Sequence, residues 1–366
     1  MRFLLLLFLS AFAINAQATI HTVSNDPDNP GQYTTVQAAH DAASSGDTLY
    51  ITPSETTYPG AQMNRELVII GNGYVPVTQG QIEFETEITS ISLSASGFSS
   101  SSNSSFIGLK IGELKGAPTD GSILIENILV RNCEVDNING YRYYDGALRN
   151  LQVIHSIVGF SGVNWQNWQA LILSATFRNS IITDCSRFYT DNTSGSEEYG
   201  QLLFQNCLFV AKDLSTINFQ ISDVIIENSI FIETDIEAED IIDSDFSNNI
   251  IFNGTGDPIP FNTNDNTGSG NLDNTNPQFI SYDAFSGFGY SPIDTEDWHL
   301  SSGSPGILYG TDGTDVGIYG GQTPWPEVSG YTGRPSMPVI TLFQLLNGVV
   351  SPDGELEFEI EATTQN

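Results

Sequence analysis

Apolar and polar residues alternate in short bursts along the middle of the chain, and six of these bursts align without gaps. They are Val130-Arg131-Asn132-Cys133-Glu134-Val135, Val153-Ile154-His155-Ser156-Ile157-Val158, Phe177-Arg178-Asn179-Ser180-Ile181-Ile182, Phe204-Gln205-Asn206-Cys207-Leu208-Phe209, Ile226-Glu227-Asn228-Ser229-Ile230-Phe231 and Phe246-Ser247-Asn248-Asn249-Ile250-Ile251. The first position is always Val, Ile or Phe, the third is Asn or His, the fourth is small, and the fifth is apolar apart from Glu134. A period of two around one polar turn residue predicts short strands meeting at a bend, not helices.

The third residues, Asn132, His155, Asn179, Asn206, Asn228 and Asn248, follow one another at intervals of 23, 24, 27, 22 and 20 residues. A fixed motif at a variable interval means that each interval is one winding of chain, with insertions confined to a loop. Windings of this size, each holding two or three short strands, predict an all-β fold, a right-handed parallel β-helix solenoid. Coils stack ~4.8 Å apart. The six residues are therefore expected to form a ladder in which each amide donates to one neighbour and accepts from the other. His155 fits the same column as a structural residue, with one donor and one acceptor nitrogen. The L-x-x-L-x-L spacing of leucine-rich repeats, which compete at this period, is absent.

A solenoid exposes a core cross-section at each end and needs covers. Thr34-Thr35-Val36-Gln37-Ala38-Ala39-His40-Asp41-Ala42-Ala43 predicts a short capping helix with Thr34 and Gln37 in capping-box spacing, stopped by Gly46 before a first strand at Leu49-Tyr50-Ile51. Toward the other end come Asn276-Pro277-Gln278-Phe279, Asp297-Trp298-His299-Leu300, Gly303-Ser304-Pro305 and Asp315-Val316-Gly317-Ile318-Tyr319-Gly320-Gly321. In these segments, over roughly residues 30–325, the chain resembles secreted bacterial proteins of the pectate-lyase-like parallel β-helix superfamily. The resemblance implies an N-terminal cap at about 30–60 and coils at about 61–320. It leaves the chemistry open, because the superfamily includes lyases, hydrolases, epimerases, adhesins and non-catalytic binders. Relatives carry Ala-Ile-Asp after the Ser-Pro; Gly306-Ile307-Leu308 stands here, so no role passes to that aspartate. Residues 326–338 read as a linker. Residues 339–366 read as a β-rich tail with two strands around Ser351-Pro352-Asp353-Gly354, like the opening of an immunoglobulin-like module and too short for a sandwich of its own.

The extreme N-terminus changes the picture again. Arg2, an apolar run from Phe3 to Ile14, and Ala16-Gln17-Ala18 describe a secretory signal peptide over residues 1–18. The run is too short to span a membrane, which takes ~20 apolar residues, and no second long apolar run follows. A secreted, extracellular protein beginning near Thr19 is expected. Among 366 residues, 44 are acidic and 11 basic, a net charge of −33. So few cations argue against nucleic-acid partners. Cys133 and Cys207 share the fourth position but lie three coils apart, ~14 Å at the stacking distance, beyond disulfide reach. With Cys185 they are expected to be reduced, buried thiols.

Candidate chemistry gathers in two places. Glu233, Asp235, Glu237, Glu239, Asp240, Asp243 and Asp245 crowd one stretch. Either this is a solvated acidic loop or Asp235, Glu237, Glu239 and Asp240 hold Ca2+, an ion that favours hard oxygen ligands. Arg131, Arg142, Arg149, Arg178 and Arg187 lie close in sequence, interleaved with aromatics. Arg142, Trp165 and Tyr189 each stand ten residues past their ladder residue, and Lys212 six past its own. Stacking would bring Tyr141, Arg142, Tyr144, Trp165, Trp168, Tyr189 and Lys212 to one loop edge. Planar side chains there suit sugar rings, with arginine for carboxylates or hydroxyls; the alternative is that they cover the coil and pair with local acids. Glu134 is either inward, desolvated and a candidate acid or base, or a mark of shifted register. With Arg142, Arg187, Asp145 and Asp184 it completes the candidate catalytic set. The expected function is binding of an extracellular polysaccharide or cell-surface glycan, or a surface-structural role. The alternative is a lyase or glycoside hydrolase acting on an acidic polysaccharide.

Overall fold

The computed structural model describes residues 18–73, 85–96, 99–116, 124–140, 147–159, 172, 174–183, 187–188, 202–210, 220–232, 235–236, 241–252, 255–256, 261–281, 297–325, 338–345 and 358–364. Among these, eleven strands form one continuous parallel sheet from Ile20–Val23 and Thr48–Ile51 at one end to Asp245–Ser247 and Thr267–Ser269 at the other. A second sheet of nine strands runs beside it from Ala61–Met63 to Ile250–Phe252. A third face is built from short strands, Leu124–Glu126 with Ala147–Arg149, and Arg187–Phe188 with Gln220–Ser222 and Ile241–Ile242. Where the third face is described, from Leu124 to Ile242, the chain visits the third face, the first sheet and the second sheet in turn. The fold is a parallel β-solenoid.

The motif columns explain its cross-section. First-position residues such as Val153, Phe177 and Phe204, and sixth-position residues such as Ile182, Phe209 and Phe231, point inward and are fully buried. Like stacks on like: Phe177 on Phe204 at 4.5 Å between ring centroids and Phe209 on Phe231 at 4.4 Å, both nearly coplanar. Between the two sheets stands the third-position residue, with φ of 52° at Asn132, 49° at His155, 45° at Asn179, 53° at Asn206 and 54° at Asn228 and Asn248. One left-handed residue turns the chain sharply from one strand into the next, and asparagine tolerates that conformation better than most side chains.

The six residues do stand one above another. Asn179 N–H donates to Gln205 O at 3.1 Å, Asn206 N–H to Glu227 O at 3.1 Å and Asn228 N–H to Ser247 O at 2.9 Å. Their side chains, however, do not bond to each other as expected. The residue is left-handed, so its side chain is thrown outside the bend, where a later segment of chain captures those of His155, Asn179, Asn206, Asn228 and Asn248. The fourth position works inside the bend instead: Cys133 N–H donates to Ser156 Oγ, Ser156 N–H to Ser180 Oγ, Cys207 N–H to Ser229 Oγ and Ser229 N–H to Asn249 Oδ1. An amide-to-amide ladder does exist at the exposed corner before the first sheet. There Asn150 donates to Asn127 at 2.7 Å and Asn127 to Asn103 at 2.9 Å.

At the front, the helix is Val36–Ala42. Its cap is Thr35, whose Oγ1 accepts from Ala38 N–H at 3.2 Å, not Thr34. Gln37 turns away to Asp41 and Gln62. The chain also begins its sheet earlier than expected, since Ile20–Val23 pairs with Thr48–Ile51 ahead of it. Cys133 and Cys207 are free and buried, and burial pushes both thiols up to about 12; Cys185 lies outside the described residues. In the tail, Pro338–Leu345 and Phe358–Thr364 form an antiparallel pair.

After Asp297–Leu300, which pairs antiparallel with Phe279–Ser281, residues 301–325 run back along the corner between the two sheets as a strap. Asn248 Nδ2 donates to Tyr309 O at 2.7 Å. Asn228 exchanges two bonds with Thr311, and Asn206 donates to Asp315 O. Asn179 donates to Ile318 O and Gly320 O at 2.9 and 2.8 Å. His155 Nε2 meets Thr323 O at 2.8 Å. As the strap advances from 309 to 323, the coils it grips run backward from 248 to 155. A Cβ on Gly320 would lie 1.6 Å from Asp315 O, so only glycine fits where the strap folds on itself.

The strap also covers the outward row of the second sheet. Val316, Ile318 and Trp325, together with Trp298 of the strand before the strap, pack on Ile157, Ile181, Leu208, Ile230 and Ile250, the apolar fifth-position residues.

Candidate functional site

Many residues singled out from the sequence, Tyr141, Arg142, Tyr144, Asp145, Trp165, Trp168, Asp184, Tyr189, Lys212, Glu237, Glu239 and Asp240, lie outside the described residues. The strands that flank them fix which connection each belongs to. Arg142, Trp165 and Lys212 all fall between a strand of the second sheet and the third face. Tyr189 follows Arg187–Phe188 and precedes Leu202–Gln205, so it lies in the connection from the third face to the first sheet. In that coil the insertion has moved to the other corner, and an equal count from the ladder residue no longer means an equal place in the winding. Asp235 belongs to a short strand with Ile236, paired with Thr255–Gly256. The described residues contain no group of three or more potential metal ligands.

The remaining catalytic candidates sit apart. Arg187 is in the third face. Glu134 opens a strand of the second sheet and is paired in unbroken register with Lys110 on one side and Ile157 on the other. It is therefore neither inward nor a slip of register, as the sequence had suggested. Its carboxylate lies 3.8 Å from Lys110 Nζ, which is 3.1 Å from Glu85. Burial alone would lower the Lys110 ammonium, but the Glu134 and Glu85 carboxylates outweigh it and hold it above its usual value. Glu87, Lys110 and Glu134 then give way to Ile157, Ile181, Leu208, Ile230 and Ile250 along one outward row. The row changes from charged to apolar at the coil where Trp325 packs.

The other basic residues separate in the same way. Arg149 pairs with Glu126 on the third face at 3.2 Å. Arg131 and Arg178 share an outward row of the first sheet with Ile154, Gln205 and Glu227. Arg178 Nε donates to Gln205 Oε1 at 2.8 Å, and Gln205 Nε2 donates in turn to Glu227 Oε1. This chain of side chains forms one wall of a groove of roughly 370 Å³. The strap forms the other wall through Thr311, Asp312, Gln322 and Thr323, with Asn179, Asn206 and Asn228 at the floor.

Electrostatics within the groove run from positive to negative along the solenoid. Asp312 accepts from Thr314 Oγ1 at 2.7 Å and Thr314 N–H at 3.0 Å, and the hydroxyl bond above all holds its carboxylate below the usual range. Near the other end, His155 donates from Nε2 to a carbonyl, which leaves Nδ1 as the bare nitrogen. Burial pulls this imidazole below its ordinary value, so it stays neutral under the strap. The sequence signal for the strap lay in the fifth-position row, whose outward residues are apolar in five coils and charged at Glu134.

No protein-family model matches the chain, and no curated protein matches it.

Proposed function

We propose that this chain is an exported β-solenoid of the pectate-lyase-like kind that binds an extracellular polysaccharide. The observation that carries the reading is the uninterrupted parallel face. Eleven strands in continuous order make an unbroken surface about 48 Å long at the stacking distance, whose side chains repeat once per coil. A repeating linear surface is complementary to a repeating linear polymer. Arginine, glutamine and glutamate on that face supply the donors and acceptors that sugar hydroxyls need. The aromatic residues Trp165 and Trp168 lie in the connection that enters the third face and are candidates to stack on sugar rings from there.

Binding is favoured over catalysis because Glu134 is engaged with Lys110 on the second sheet while Arg187 stands on the third. The test is a glycan array with the full chain, run beside incubations with pectate, alginate and chondroitin followed by the absorbance of unsaturated uronates. The expected result is glycan binding without a rise in absorbance. Release of unsaturated uronate would replace this reading with that of a lyase. Absence of binding to every glycan would leave a surface-structural role.

A further inference from the structure

We infer that the groove between the strap and the first sheet is a saccharide site, selective for uncharged sugar rings. This deepens the polysaccharide-binding proposal and rests on it. The groove's polar side chains have hydrogen-bonding capacity that the protein leaves unused. Arg178 spends Nε on Gln205, and among the described residues its two Nη groups have no partner. Gln205 is fixed between Arg178 and Glu227. Glu227 is engaged through Oε1 and Asp312 through Oδ1, which leaves one carboxylate oxygen of each without a described partner. The Gln322 amide lines the same space.

Donors therefore converge from the Arg178 end and acceptors from the Glu227 and Asp312 end, two coils away, about 10 Å along the axis. The strap is held by the corner-column side chains through Thr311 and the strap backbone, so Arg178, Gln205, Glu227 and Gln322 are not consumed in keeping the groove closed. Its volume lies at the low end of small-ligand sites, which span roughly 300–1,000 Å³. Mixed donors and acceptors without a dominant cation suit vicinal hydroxyls, which give and receive at adjacent carbons. A polyanion is disfavoured on two counts: the wall carries two carboxylates against one guanidinium, and the chain as a whole carries −33.

The test is calorimetric or NMR titration of the full chain with neutral oligosaccharides (cello-, manno- and xylo-oligosaccharides) and with oligogalacturonate. The expected outcome is binding of at least one neutral series, with Kd raised about tenfold or more by Gln205→Ala or Glu227→Gln, the effect of losing a charge-assisted or relayed hydrogen bond. Gln322→Ala provides a variant whose side chain holds no described part of the fold, and it should weaken the same ligand. Circular dichroism confirms that each variant folds. Neutral-sugar affinity unchanged in both Gln205→Ala and Gln322→Ala overturns the groove assignment. If binding is instead abolished by Trp165→Ala, the broader polysaccharide reading stands without this site. Tighter binding of oligogalacturonate than of every neutral series also overturns the selectivity.

Discussion

A single asparagine in the corner column does two jobs, and substitution can separate them. Asn206 holds φ at 53° and its amide donates to Asp315 O. Asn206→Gly keeps the backbone conformation and loses the amide bond, so a loss of about 1 kcal/mol is expected. Asn206→Ala loses the bond and also replaces a residue that tolerates the left-handed region with one that does not, for a total of about 2 kcal/mol; urea denaturation of the two variants measures the difference. His155 occupies the same position with a titratable ring whose pKa burial lowers. The unfolded chain takes up this proton near pH 6.5 and the folded chain only at lower pH. In that window the unfolded state binds more protons, so this stabilisation is complete above about pH 6.5 and is lost as pH falls through the folded value. Acidification from pH 7.5 to 5.5 should lower stability by at most about 1.4 kcal/mol per pH unit from this group, and His155→Asn should flatten the slope. Asp47 acts in a more acidic window. Burial would raise its carboxyl, but hydrogen bonds from Thr19, Ser44 and His21 outweigh that and lower it, so its contribution disappears only as pH drops below the ordinary carboxylate range.

At the scale of elements, the strap is the part that a local reading of the sequence does not reach. The coils were legible because each repeats the same outward and inward choices at Val130, Asn132 and Cys133 and at every equivalent position. The column of six left-handed residues followed from that repeat. Their partners did not, because Asn179 bonds to Ile318 and Gly320 some 140 residues away and the strap has no periodicity of its own. Glu134 carried the missing signal, since it is charged where Ile157 and Ile181 are apolar. The polar wall of the groove was partly visible in Arg178, but its opposite wall belongs to the strap and was not. The strand Ile20–Val23 was missed because it follows the predicted cleavage site directly. Ile318 packs on this apolar row, and Ile318→Ala should cost about 2–5 kcal/mol by cavity formation. Hydrogen exchange should then show the amides of 306–325 opening well before those of the first sheet.

Taken whole, the molecule is a line of windings in which each touches chiefly its neighbours, and stability in such arrays is close to a sum of local terms. The net charge of −33 sets those windings against each other through self-repulsion, which salt screens over ~10 Å at 0.1 M. The thermal midpoint should rise as sodium chloride is increased from 10 to 200 mM, and a flat or falling midpoint would show that ion pairs such as Lys110 with Glu85 dominate instead. The strap departs from the nearest-neighbour rule by fastening the coil of His155 to those of Asn179, Asn206, Asn228 and Asn248. During synthesis, where residues appear in order from the N-terminus, the oily strip from Ile157 to Ile250 is made before Val316, Ile318 and Trp325 exist. The half-made protein therefore passes through a sticky stage, which ends only when its last-arriving cover closes over it.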